Sequence, residues 1–390
     1  MVLFSFLPVA AVVFTPAYPA LSREFGLSAN QDQWMMTLFL LGSSFGRLPY
    51  GPLANRFGRK PALFLGLIVA LVGTILILAS TSYPVLCIGR LIQALGCAVS
   101  MKIGYTMIAD LHAGAIATKM LSYGMLAYAI LPGVSTGIAG HLTEYYGWKG
   151  SFWFFLAFNL FVILSCTCLP ETSKEKDRHA LKLKKIAAGY KAQFKDRNLV
   201  LWGSLMGLST AILYIFAQQA PFVGIEIMGL TPEEYGWFYL VPSMGIAVGS
   251  LLTAYLADRL SAKWGMFYGI ASIAAASLLM QLFFLGSWIS GWALFLPQVV
   301  VQLGDALLYN NASSIAVSEA KDKSNASAII LFISSCWGVL GTFLIGTLDP
   351  RAFLSLPLVF LLISIFMGIL WLLVRAKPCK KDPKALQEWY

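Results

Sequence analysis

The sequence predicts an all-α membrane protein of twelve transmembrane helices, arranged as two pseudo-symmetric six-helix bundles. Three observations predict it. Of the 390 residues, 58% are hydrophobic and only 12% charged, about half the charged share of a soluble domain. Apolar runs recur about twelve times, near the ~20-residue length that a helix needs to cross about 30 Å of hydrocarbon. The first half of the chain also repeats in the second half at one constant offset.

In order, the runs cover residues 2–21, 33–54, 61–80, 83–108, 119–142 and 150–169, then 198–220, 234–257, 264–285, 289–315, 324–346 and 353–374. Backbone groups in lipid have no water partners, so each run must close its own hydrogen bonds as a helix. The first run lacks a basic start and a small-residue cleavage site, so it reads as a span. Residues 170–197 break the rhythm. This stretch is Lys-rich and carries Leu183, Ile186, Tyr190 and Phe194 at helical spacing, which suits a basic cytoplasmic linker, either an interfacial helix or a solvated loop. The predicted organisation is an N-terminal bundle over 1–169, the linker over 170–197, a C-terminal bundle over 198–375 and a cytoplasmic tail over 376–390.

The repeat needs no gap. The offset that takes Gly26 to Gly229 also takes Trp34 to Trp237, Gly42 to Gly245, Gly46 to Gly249, Arg56 to Arg259 and Lys60 to Lys263. Two parallel repeats of six helices leave a cleft between them in which a small-molecule solute can bind.

A net charge of +10 would suit nucleic acid, but the cations sit in loops. Arg56, Arg59, Lys60, Lys119, the linker cations, Arg259, Lys263, Lys321, Lys323 and the tail cations fall on one side of this topology. The other side holds only Arg23, Lys149 and Arg351. The positive-inside rule then puts both termini in the cytoplasm of a cell membrane, expected to be a bacterial inner membrane. Membrane lipid is the expected partner of these cations, nucleic acid is not, and the expected unit is a monomer. The six cysteines show no metal-like spacing beyond Cys166 and Cys168, which read as packing. His112, His141 and His179 lie in separate segments, so neither a metal site nor an enzyme's catalytic cluster is expected, and no cofactor. A receptor would carry a soluble sensing domain, and the linker is too short to be one.

Between the second and third runs stands Gly51-Pro-Leu-Ala-Asn55-Arg56-Phe-Gly58-Arg59-Lys60, partly repeated as Leu256-Ala-Asp258-Arg259. Gly51 permits close helix approach, Gly58 a tight turn, and the cations face headgroups and helix carboxyl ends. This loop resembles the signature G-x-L-x-D-R-x-G-R-K of the major facilitator superfamily. Thr15-Pro-Ala-Tyr-Pro19, Arg90-Leu-Ile-Gln-Ala-Leu-Gly96, and Pro132 to Gly140 followed by Gly147-Trp148 narrow the resemblance to the twelve-span drug:proton antiporters of the Bcr/CflA type. The resemblance implies the major facilitator fold, alternating access driven by a proton gradient, a conformational-gate role for the loop, and a cavity lined by helices 1, 4, 7 and 10. The sequence also departs from the family. Val12 stands where these exporters usually carry an acid, Asn55 replaces the loop Asp, Arg47 replaces a frequent Gln, and the helix 5 segment has one proline where two are usual.

Charges cost roughly 2.5 to 3.5 kcal/mol to place at the centre of a spanning helix, so they normally face a cavity or a partner. Arg47, Arg90, Lys102 and Asp305 are the deep ones and are the expected substrate or coupling residues. The repeat offset takes Lys102 to position 305, which predicts an ion pair across the cleft that latches the outward-open state. Tyr105, Tyr128, Gln218, Gln219, Tyr309, Asn310 and Asn311 are the expected cavity lining. Pro132, Gly133, Gly137 and Gly140 form a small-residue stripe for a hinge or close packing in helix 5. Three deep cations against one acid favour an anionic or amphipathic metabolite or a carboxylate siderophore, whereas the family resemblance favours drug export.

Overall fold

The computed structural model describes residues 2–28, 31, 34–112, 114–173, 177, 194, 196–257, 259–318, 323–347 and 354–375. The first bundle is built of α1 (Val2–Phe25), α2 (Trp34–Phe57), α3 (Arg59–Leu78), α4 (Tyr83–Leu111), α5 (Gly114–Tyr146) and α6 (Lys149–Thr167). The second comprises α7 (Arg197–Ile227), α8 (Pro232–Leu256), α9 (Ala262–Leu285), α10 (Gly291–Ser318), α11 (Lys323–Ile345) and α12 (Ser355–Arg375). Ten of them are long and apolar enough to cross a membrane. The other two are α2, diluted by Arg47, two prolines and several glycines and serines, and α11, whose apolar stretch is the shorter Ile329–Ile345. The expected linker helix lies outside the described residues apart from Phe194, as do Asp258 and the tail.

Local chemistry fixes the helix ends. α1 tightens into a 3-10 turn at Thr15–Ala17, where Pro16 and then Pro19 withhold backbone donors. It ends at Gly26 in the left-handed region, φ 60°, and its repeat partner Gly229 ends α7 in the same way, φ 73°. α8 starts on a capping box, Thr231 with Glu234.

The repeated glycines do the same work in both bundles. A Cβ at Gly42 or Gly46 would lie 2.6 or 2.7 Å from the carbonyls of Leu91 and Leu95, so α2 meets α4 backbone to backbone. Gly245 and Gly249 meet the carbonyls of Val299 and Leu303 in the same way, joining α8 to α10.

These contacts correct the predicted register. The equivalences Leu91 with Val299 and Leu95 with Leu303 make Asn310 the partner of Lys102, and Cys97 the partner of Asp305. The offset changes because α9, at 24 residues, is longer than its counterpart α3, at 20, and the α9–α10 connection adds to the difference. Lys102 and Asp305 are therefore displaced along their helices by about 7.5 Å.

The bundles meet along two seams. α5 packs on α8 through the helix 5 stripe: Gly133 against Leu240 and Ser243, Gly137 against the Trp237 ring, and Gly140 against the Pro232 carbonyl. The stripe is thus a close-packing surface across the seam. α2 packs on α11 through Trp34 with Phe343, a Thr37–Thr342 hydrogen bond of 3.3 Å, and Phe45 with Phe332. Tyr18 stacks on Phe222, closing the end remote from the basic loops. At the basic-loop end, α4 and α5 form no packed interface with α10 and α11 among the described residues.

Candidate functional site

Between the bundles lies a cavity of about 100 Å³, walled by α1, α2, α4 and α5 on one side and by α7, α8, α10 and α11 on the other. Of the expected residues, Arg47, Asp305, Tyr128, Tyr309 and Asn310 line it. Arg47, half-buried on α2, donates through Nη1 to Ser335 Oγ at 2.6 Å and to the Leu331 carbonyl at 3.1 Å, both on α11. It does not snorkel to the interface, because α11 supplies acceptors at its own depth.

Asp305 is 8% exposed and accepts a hydrogen bond from Ser209 of α7. Neither ion pair among the described residues involves it. Asn310 donates to Ser250 at 3.3 Å. Tyr214, Thr210, Ser334 and Ser335 also line the cavity and were missed from sequence. Serine and threonine in a spanning helix usually bond their own backbone, as Thr210 does to Met206, so nothing in the sequence sets Thr210, Ser334 and Ser335 apart.

The remaining expected residues lie elsewhere, each for a physical reason. Arg90 is 0% exposed, pressed between the rings of Phe14 and Phe39 at 3.5 and 4.2 Å, and it donates to the Ala10 carbonyl and to Gln93. Aromatic faces and one α1 carbonyl, not a solute cavity, hold this cation. Lys102 points at Gly51 on α2, where a Cβ would sit 2.5 Å from its Nζ, and it makes no ion pair with Asp305. Tyr105 turns to Phe4 and to Met125 Sδ. Gln218 and Gln219 are buried at the closed end of α7, with Gln218 reaching the Thr342 carbonyl. Asn311 faces Gly265 of α9 and donates to the Leu307 carbonyl. The cavity thus holds one cation and one carboxylate, so the expectation of three cations in it is corrected.

At the basic-loop end, the signature segment is bound within its own bundle. Gly58 takes φ 113°. Glu171, just past α6, accepts from the backbone N–H groups of Arg59 at 2.9 Å and Lys60 at 3.1 Å, capping the first turn of α3. A side chain at Gly58 would strike that carboxylate. Burial alone would push the Glu171 carboxyl up, but the N–H donors of Ser173, Arg59, Lys60 and Thr172 outweigh it and hold the group below its ordinary value. Arg59 pairs with Asp110 at 3.2 Å and donates to Asn55 Oδ1 at 2.6 Å, so the amide retains the intraloop hydrogen bond. Lys60 donates to the Thr167 carbonyl at 2.7 Å. Arg56 and Arg259 lie over Phe57 and Tyr255.

Two helical bundles sharing a cavity between them, closed at one end and parted at the other, define a multi-pass membrane transporter, not an enzyme. The chain matches the Major Facilitator Superfamily over residues 1–346 and belongs to that family. It is 25% identical over 374 residues to an uncharacterized transporter of Rickettsia bellii, covering 93% of this chain and 92% of that protein. It is 24% identical over 257 residues to a bicyclomycin resistance protein homolog of Haemophilus influenzae, covering 66% of this chain and 65% of the relative. The crystal structure of the nucleoside transporter NupG superposes with a TM-score of 0.76 at 13% identity, over 96% of this chain and 98% of NupG.

Proposed function

We propose that the protein is a proton-linked secondary transporter of a small organic anion, oriented with both termini in the cytoplasm and therefore open here to the cytoplasm. The observation that carries this reading is the presence of Arg47 and Asp305 on opposite walls of one cavity. Arg47 spends only Nη1 on α11, which leaves guanidinium donors for a carboxylate or phosphate on the solute. Asp305 is the acid that carries the proton. A buried carboxylate without a cation partner is costly to charge, so its protonation follows which end of the cavity is open to water.

When Asp305 is protonated the site carries one net positive charge and suits an anion. Once the proton leaves, the two charges offset each other and the anion is released. Proteoliposomes loaded with citrate or benzoate and given an imposed pH gradient test this. Transport should follow the gradient in the parent, and Asp305→Asn should retain exchange while losing the gradient dependence. Transport of the cation tetraphenylphosphonium, with neither anion moved, would sink the reading. The relatives named for bicyclomycin and chloramphenicol resistance favour a second reading, export of drugs through the same cavity, which the same proteoliposomes test with chloramphenicol, a neutral solute, in place of the anions.

A further inference from the structure

Only one strong polar link on the cavity wall joins the two bundles among the described residues, and it belongs to Arg47. Its Nη1 bonds to Ser335 Oγ and to the Leu331 carbonyl, while Ser335 Oγ itself donates to Leu331 at 2.9 Å. The other polar contact of the α2–α11 seam, Thr37 with Thr342, is neutral, longer at 3.3 Å, and nearer the closed end. We infer that Arg47 is a clasp between the bundles, formed while the basic-loop end is open, and that an anionic group entering the cavity opens it.

The clasp's acceptors are a hydroxyl and an amide carbonyl. A carboxylate offers the same guanidinium a full opposite charge and a bidentate fit, which a neutral hydroxyl and a neutral carbonyl lack. Arg47 therefore exchanges α11 for the solute, α11 loses its polar tie to α2, and the state described here loses stability relative to the one closed at the basic-loop end. A cation makes no such exchange, so it leaves the clasp shut. Binding and the conformational step are linked through one side chain, which satisfies the requirement that a ligand shift an equilibrium only by binding two states unequally. The ligand half of this inference rests on the anion reading proposed above, whereas the clasp itself does not.

The test uses spin labels in a background freed of the six cysteines. Leu111→Cys, 51% exposed on α4, and Ser314→Cys, exposed on α10, report the basic-loop end. Tyr146→Cys and Trp288→Cys, both exposed, report the other end. Ser335→Ala and Arg47→Gln should each shift the unliganded population towards shorter distances at the basic-loop end and longer ones at the other. Ser335→Thr, which keeps the hydroxyl, should match the parent and separates the effect from misfolding. Citrate and benzoate should move the parent in the same direction, and Ser335→Ala should bind them several-fold more tightly because only the Leu331 carbonyl still competes for Arg47.

Parent-like distributions in both Ser335→Ala and Arg47→Gln would overturn the clasp, whatever the ligand. Shifted variants with no response of the parent to either anion would uphold the clasp and overturn the anion as its opener. That second outcome also removes the support for anion transport, so the two failures are distinguishable.

Discussion

The two ends of the molecule hold themselves together in opposite ways. At the closed end the contacts cross between bundles and bring backbone to backbone, Gly140 on Pro232 and Gly236 on the Thr136 carbonyl. At the basic-loop end the strong contacts stay within one bundle, where Glu171, Asp110 and Asn55 bind the Arg59 region. A seam of small residues is either packed or parted, with little between, because interiors are close-packed and do not deform continuously. A loop stapled to its own bundle moves with that bundle as a unit. Breaking the first kind of contact should therefore change which end is open, and breaking the second should change only stability.

The largest expected effect comes from Gly140→Leu. Its side chain would drive into the Pro232 backbone, an overpacking of about 1 to 3 kcal/mol that falls on the closed-end state alone and shifts the balance between states about tenfold or more. Label distances at positions 146 and 288 should lengthen while the protein still folds, and unchanged distances would show that the small-residue seam does not hold that end closed. Gly58→Ala follows. Holding a side chain at φ 113° against the Glu171 carboxylate should cost about 1 to 3 kcal/mol, seen as a lower unfolding temperature with the distances at positions 111 and 314 unchanged.

Glu171→Gln should cost less, because the group is exposed and screened, and its signature is a pH dependence. The folded-state value lies below the ordinary 4.5, so the capping contribution is fully present above that value and is lost as pH falls through the lower folded one. A parent-minus-variant difference in thermal stability that is flat at neutral pH and shrinks in acid is the expected result. The smallest effect belongs to His141 and Glu233, 3.1 Å apart, the first exposed and the second half-exposed, which cross the seam at the closed end. His141→Ala should change the conformational balance by less than ~1 kcal/mol, which sharpens the contrast with Gly140. A cross-seam contact matters when it is buried backbone and not when it is a solvated pair.

Much of the fold was legible because lipid imposes one rule on every span. Apolar runs must be helices, and the run positions match α1 to α12 to within a few residues at most ends. The glycines paired by the repeat, Gly42 with Gly245 and Gly46 with Gly249, proved to make the same helix contacts. The site was legible only in part. Arg47, Asp305, Tyr128, Tyr309 and Asn310 line the cavity as expected, whereas Arg90, Lys102 and Asn311 do not. A helix turns about 100° per residue, so a polar side chain on a cavity helix faces the cavity only if its azimuth allows. Asn310 and Asn311 differ by that one step and by their fate. The equivalence of Lys102 with Asp305 failed for a related reason: a constant offset in sequence ignores the residues added within α9 and in the α9–α10 connection, while backbone contacts register them.

By itself the sequence determined the membrane environment, the repeat and the family signature, because each follows from residue type and spacing along one dimension. The tertiary structure alone decided which charges meet. Arg90 is enclosed by Phe14 and Phe39, Lys102 by α2, and Arg47 reaches the opposite bundle. Burial and electrostatic partners are properties of distance in three dimensions, and the direction of each side chain about its helix is fixed only when the neighbouring helices pack.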